Sequence, residues 1–520
     1  MHESELLLLM LMVAVGALSV LAGLVRVPYP ILLVLGGLVL GFVPGVPRAE
    51  LPPELVLVLF LPPLLYQAAF FSSPRDLRAD ARAITLLAVG LVLATMGAVA
   101  VVAHDLVGLP WAAGFALGAI VSPTDPLAAT AIARRLGVPR RLVTLLEGES
   151  LVNDATALVA YRIAVAAAVG GSFVAWEAGL RFLAGVAGGV AIGLLVGWLV
   201  AEVRRRLDDP PVEIVVSVVT GYAAYLPAER LGVSAVVAAV TAGLYVGWRA
   251  PELASPGTRL LGFSFWEVLV YLLNAILFIL VGLQLHPILS ELSDSSVVTL
   301  VGQGALVSAV VIAVRLGWEF TVPYLVRMLD RRPSQRARRS GPRERLVVGW
   351  SGMRGAVSLA AALALPEDFP QRNLIIFVTF AVMLATLVLQ GLSLPWLIRA
   401  LALHRDDSEA REELRGRLRA TDAALARLEE LTAEEWTRED TVERLRGLYQ
   451  FRRRRLKARA GYLADDGSQD RSLAYQRLVR ELLEAQRREI VLLRNQGEIS
   501  NEVMHRIERE LDLEDSRLEI

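Results

Sequence analysis

Asp154 stands in the run Glu147-Gly148-Glu149-Ser150-Leu151-Val152-Asn153-Asp154-Ala155-Thr156, polar where the sequence on either side is apolar. On a helix Ser150 and Asp154 are i,i+4 neighbours, and so are Glu149 and Asn153. The first pair offers a hydroxyl and a carboxylate oxygen to one hard cation such as Na+, which takes oxygen ligands as other hard cations do. The second pair can hydrogen-bond and present polar groups to a partner helix. Taking a carboxylate out of water disfavours the bare anion, so a proton or a metal ion has to accompany it. Competition between the two for Asp154 is sufficient for exchange. The structural alternative for the same carboxylate is a salt bridge to Arg354.

Two further charged motifs interrupt apolar sequence. In Ser122-Pro123-Thr124-Asp125-Pro126 the prolines remove two amide donors and should break a helix. Asp125 is then placed to neutralise the positive end of a half-helix, and Thr124 offers a hydroxyl or carbonyl oxygen to the ion. In Ser351-Gly352-Met353-Arg354-Gly355-Ala356 two glycines flank an arginine, which suits an unwound segment or a close helix contact. Counting 1.5 Å per residue from the nearest arginine of a flanking loop puts Asp125 and Arg354 each about 14 Å deep and Asp154 about 20 Å deep. Three charges therefore converge near the middle of a hydrocarbon layer about 30 Å thick, where charge is costly and marks a pathway. Arg315 and Glu319, spaced i,i+4, read as a pair within one helix. Arg162, two turns beyond Asp154, reads as snorkelling outward. Glu267 and Asn274 suit either a cavity wall or bonds between helices.

The elements that position these groups are membrane helices. About thirteen stretches satisfy the length rule for crossing a bilayer: approximately 5–25, 29–45, 52–71, 83–104, 111–133, 142–165, 177–201, 211–228, 233–250, 262–285, 296–326, 345–365 and 373–402. The connecting segments alternate between arginine-rich (Arg75 to Arg82, Arg134 to Arg141, Arg204 to Arg206, Arg331 to Arg345) and almost free of basic residues (His104 to Pro110, Gly170 to Trp176). By the positive-inside rule the arginine-rich set is cytoplasmic, with the N-terminus outside and the C-terminal tail inside. The apolar start has no Lys or Arg before it, so it reads as a retained helix and not a cleaved signal. The two interrupted spans lie seven apart, as they would if the spans form inverted repeats with a site at the repeat interface.

These segments resemble the bacterial and archaeal sodium/proton antiporters related to the animal sodium/hydrogen exchangers. The resemblance covers roughly residues 5–403 and rests on Phe60-Leu61-Pro62-Pro63-Leu64-Leu65-Tyr66 together with the three motifs above. It implies an all-α polytopic membrane protein of thirteen helices, a homodimer, with the two unwound spans crossing in a mobile core. It implies Na+ and H+ binding at Asp154 with Ser150 and Thr124 as further oxygen ligands, and a polar cluster of Asn153 and Glu149 with Arg354. An Asn-Asp pair, where electrogenic relatives carry Asp-Asp, implies electroneutral exchange. One position departs: relatives often carry an acidic residue after Leu-Pro-Pro in the third span, and here it is Gln67, which offers only an amide oxygen.

The division expected is a membrane domain over 1–403 and a cytoplasmic helical domain over 404–520, where Arg and Glu become dense. The mean hydropathy of +0.51 averages over both. Lys plus Arg equal Asp plus Glu at 53 each, which argues against a nucleic-acid partner; the partners expected are a monovalent cation, a proton and the bilayer. With no cysteine there are no disulfides or thiolate metal sites. No cofactor and no enzyme activity are expected. A tail-gated channel lacks a filter motif, and an ion-sensing receptor is the remaining alternative. In the tail, Thr432 to Glu435 reads as a capping box, a turn is expected around Asp465 to Ser468, and Gly497 should end a long helix. The Arg452 to Arg455 run suits anionic lipid head groups.

Overall fold

The computed structural model describes residues 3–25, 27–44, 53–170, 175–292, 296–329, 339–403, 408–459 and 468–518. Among them every regular element is helical. The chain divides into two compact units, Met1–Arg405 and Asp406–Ile520. Arg26, the basic stretch up to residue 338 and most of the turn expected at Asp465 lie outside the described residues.

The first unit runs α1 (Glu3–Val25), α2 (Tyr29–Gly41), α3 (Pro53–Phe70), α4 (Pro74–Ala79), α5 (Ala81–Asp105), α6 (Trp111–Val121), α7 (Leu127–Arg135) and α8 (Arg140–Gly170). It continues with α9 (Ala175–Arg204), α10 (Pro210–Arg230), α11 (Ala235–Leu253), α12 (Pro256–Leu283), α13 (Leu285–Glu291), α14 (Val297–Leu329), α15 (Pro342–Trp350), α16 (Ala356–Leu363) and α17 (Arg372–Ala400). Among the described residues seven continuous helices are long and apolar enough to cross a membrane, and shorter apolar helices, α2 and α6 among them, add to these. The expected interruptions are present: α6 and α7 divide one span at Ser122–Pro126, and α15 and α16 divide another at Ser351–Gly355.

Local chemistry sets several helix starts. The Asp209 carboxylate accepts from Val212 N–H ahead of α10, and the Ser234 and Ser255 hydroxyls accept from Val237 and Thr258 N–H ahead of α11 and α12. Proline at N1 or N2 of α4, α10, α12 and α15 fits positions whose amides lack an intrahelical acceptor. Small residues then let the helices close on one another. A Cβ on Gly118 of α6 would lie 2.5 Å from the Met96 carbonyl oxygen of α5, so backbone meets backbone there.

Two apolar clusters result. The larger joins α2, α5 to α8, α12 and α14 to α17. The smaller joins α3, α10 and α11. Helix α8 belongs to both, giving Leu142, Val143, Leu145 and Leu146 to the first and Leu151 and Ala155 to the second. Asp154 falls on the stretch of α8 that carries Leu151 and Ala155. Beside the smaller cluster, Arg204 and Glu213 form a buried pair at 3.2 Å, with Thr258 donating to Glu213 at 2.9 Å.

The second unit is made of two helical hairpins, α18 (Ser408–Leu431) with α19 (Glu439–Arg459) and α20 (Ser468–Asn495) with α21 (Asn501–Leu518). Arg446 grips Glu429 bidentately at 2.8 and 2.9 Å across the first, and Leu483, Ile490, Met504 and Leu511 fill the second. The expected capping box does not form. Thr432 donates instead to the Leu428 carbonyl at the end of α18, and α19 starts only at Glu439. Gly497, at φ +77°, does end α20.

Candidate functional site

The two helix breaks meet. The Asp125 backbone N–H donates to the Met353 carbonyl at 2.8 Å, so the unwound strands are hydrogen-bonded to each other. Asp125 Oδ1 accepts from Leu127 N–H at 2.9 Å, which satisfies an orphan amide at the positive start of α7. Arg354 does the converse. Its Nε donates to the Val121 carbonyl at 2.9 Å, at the negative end of α6, and its NH1 donates to the Gly352 carbonyl. Its own N–H is received by the Thr386 hydroxyl at 3.1 Å. Gly355 is required by close approach, since a Cβ there would lie 2.6 Å from Asp125 Cβ.

A chain of polar side chains fastens α8 to this crossing. Thr124 Oγ1 donates to Glu149 Oε1 at 2.9 Å and accepts from Asn153 Nδ2 at 2.9 Å. Arg315 of α14 donates to both Glu149 oxygens, at 2.5 and 2.9 Å, and also to the Val348 carbonyl. Two expectations are corrected here. Glu149 is neutralised by Arg315, not by Arg354, whose donors go to the carbonyls that the broken helices leave open. Arg315 likewise gives its hydrogen bonds across to Glu149, and Glu319 one turn along its own helix acts on it only through charge. Arg162 does more than snorkel: it pairs with Glu229 of α10 at 2.5 Å.

Asp154 is 9% exposed, and among the described residues its carboxylate makes no hydrogen bond and no ion pair. The salt bridge to Arg354 is thus not made. Asp154 lines a small cavity with room for no more than about one water-sized occupant. The walls come from α6 (Ala119, Ile120), the first break (Pro123), α8 beyond Asp154 (Leu158, Tyr161) and α16 (Ser358). Thr124 is buried and Ser150 half-buried, and neither lines this cavity. Gln67 is half-buried and also stands off its walls. Among the described residues no three of His, Cys, Asp or Glu gather as a resident metal site.

The sequence reading missed Arg315, Thr386, Tyr161 and Ser358. Arg315 carried a signal, being an arginine deep in an apolar helix, but the nearby Glu319 offered a simpler partner. Thr386 and Ser358 are neutral, and a search for misplaced charge passes over them.

Comparison with known proteins adds to this geometry. A family model described as "Sodium/hydrogen exchanger, transmembrane" matches residues 8–400. A Na+/H+ exchanger of Mycobacterium tuberculosis is 37% identical over 517 residues, covering 98% of this chain and 95% of that protein. The low-affinity Na+/H+ antiporter NhaS1 of Synechocystis is 35% identical over 433 residues, covering 82% of this chain and 80% of its own. Among solved structures, the sodium proton antiporter MjNhaP1 of Methanocaldococcus jannaschii superimposes with a TM-score of 0.60 at 20% identity, over 77% of this chain and 99% of that one. That last likeness is one of fold.

Proposed function

The chain belongs to the sodium/hydrogen exchanger family, and on that premise we propose that it exchanges a monovalent cation, Na+ ahead of Li+ or K+, for H+ by alternating access at Asp154. The observation that carries the assignment to Asp154 is its isolation. The carboxylate is buried and opens on a cavity, and no described residue supplies it with a donor or a cation. A bare anion in such a place is too costly to persist. A proton or a metal ion has to occupy it, and exchange follows if only one fits at a time. Either occupant leaves the same net charge, so one-for-one exchange is electroneutral.

Around this carboxylate the other groups take distinct parts. Asp125 and Arg354 complete the ends of the broken helices, while Glu149, Asn153 and Arg315 hold α8 against the crossing. Ser150, one turn before Asp154 on α8, and Thr124 at the break are the further oxygens for the ion. Gln67 offers an amide oxygen from α3 where relatives often present an acid. The reading calls for no cofactor. It includes a homodimer in the cell membrane, residues 1–403 as the transporting domain, residues 404–520 in the cytoplasm and the N-terminus outside, the last supported by the alternation of arginine-rich loops.

Proteoliposomes carrying an imposed Na+ gradient test this. The expected result is saturable proton counter-flux that Asp154→Asn abolishes while the variant still inserts. A voltage-driven Na+ current without proton coupling would overturn exchange in favour of a channel.

A further inference from the structure

We propose that Ser358 supplies an oxygen to the transported cation from the wall facing Asp154, and that it sets cation affinity without setting proton affinity. The inference rests on the assignment of Asp154 as the ion site. The cavity beside that carboxylate has three polar wall residues, Asp154, Tyr161 and Ser358. Tyr161 is seven residues along α8 from Asp154, about 10 Å of helical rise, and comes from the same helix. Ser358 comes from a different element, as the third residue of α16, just past the break that carries Arg354. It is 2% exposed, and among the described residues its hydroxyl has no hydrogen-bond partner.

A buried hydroxyl ordinarily finds a partner, because leaving it unpaired costs free energy. Here two such groups, a carboxylate and a hydroxyl, line one small space from two helices. Apolar side chains make up most of the remaining wall, including Ile120, Leu158 and Val357. Thr124 and Ser150, the other oxygens of that reading, do not line this cavity. The Thr124 hydroxyl is already committed to Glu149 and Asn153.

The chemistry separates the two transported ions. A proton needs one oxygen, that of the carboxylate, and gains nothing essential from a second. A hard cation sheds water and must replace each lost oxygen. A hydroxyl opposite Asp154 therefore stabilises the cation-loaded state selectively.

The test is Na+-driven exchange in proteoliposomes, with full-length Ser358→Ala, Ser358→Gly, Ser358→Thr and Asp154→Asn. Loss of the hydroxyl in the first two should raise the KM for Na+ about tenfold, the scale of one lost contact to a charged group. The maximal rate at saturating Na+ and the proton affinity extrapolated to zero Na+ should stay near those of the parent protein, and Ser358→Thr should keep the parent KM. As a second readout, the Na+ concentration that raises the thermal midpoint in detergent should shift upward by the same factor in the two hydroxyl-free variants. If Asp154→Asn abolishes exchange but both hydroxyl-free variants keep the parent KM and thermal response, Ser358 is not a ligand. A KM change accompanied by an equal shift of the proton affinity extrapolated to zero Na+ would also overturn the proposal, since proton binding would then share the hydroxyl. If Asp154→Asn itself retains exchange, the premise about Asp154 fails instead.

Discussion

Glu149 and Arg315 are each 1% exposed, and between them they hold the Thr124 hydroxyl, to which Asn153 donates in turn, and the Val348 carbonyl. A buried pair of this kind adds little against an apolar replacement of both partners, yet removing one partner strands a charge. Glu149→Gln should therefore lower stability by about 3–5 kcal/mol, seen as a fall in the thermal midpoint in detergent. Glu149→Gln combined with Arg315→Met should regain much of that loss. If the double variant is no more stable than the single one, the pair is not the balanced unit described. The same contacts explain what was legible at this scale. Asp125, Asp154 and Arg354 stood out as charges where the hydrocarbon layer should admit none, and the depth count brought them together. The count gives depth along one helix but not the direction a side chain faces. The family resemblance implied Glu149 beside Arg354, and the count had no means of correcting it; the guanidinium that bonds Glu149 comes from α14.

At the scale of elements, the breaks were readable because proline and glycine act on the backbone locally. Pro123 and Pro126 remove donors wherever the segment packs, and Gly352 and Gly355 tolerate backbone contact wherever it arises. What those breaks bond to is a tertiary matter that no local rule supplies. The bond from Asp125 N–H to the Met353 carbonyl joins residues far apart in sequence. It depends on Gly355, whose missing Cβ leaves space for the Asp125 side chain. Gly355→Ala should push the two breaks apart and abolish Na+-driven proton flux, whereas Ala364→Gly, one residue past the end of α16, should leave flux intact. Normal transport by Gly355→Ala would mean that the crossing tolerates more separation than its contacts imply. Helix ends misled in the opposite way in the tail: Thr432 and Glu435 have the right spacing for a cap, but the threonine hydroxyl closes the preceding helix.

For the whole molecule, the arrangement of loops makes a topological prediction that the sequence is well suited to test, since it contains no cysteine. Leu106 is exposed between α5 and α6, and Asp208 is exposed between α9 and α10. In intact cells an impermeant maleimide should label Leu106→Cys at once and Asp208→Cys only after lysis. The reverse pattern would invert the orientation. The crossing also limits how such a molecule can move. Its two interrupted spans are riveted by a main-chain bond and by one guanidinium that touches a carbonyl from each break. Sliding one span past the other would strand those carbonyls away from water, a penalty of a few kcal/mol for each. The cheaper motion carries both spans and α8 together against their neighbours. On the proposed assignment to Asp154, the ion would travel as cargo in a closed carriage, with the seals that open and shut along its outer sides.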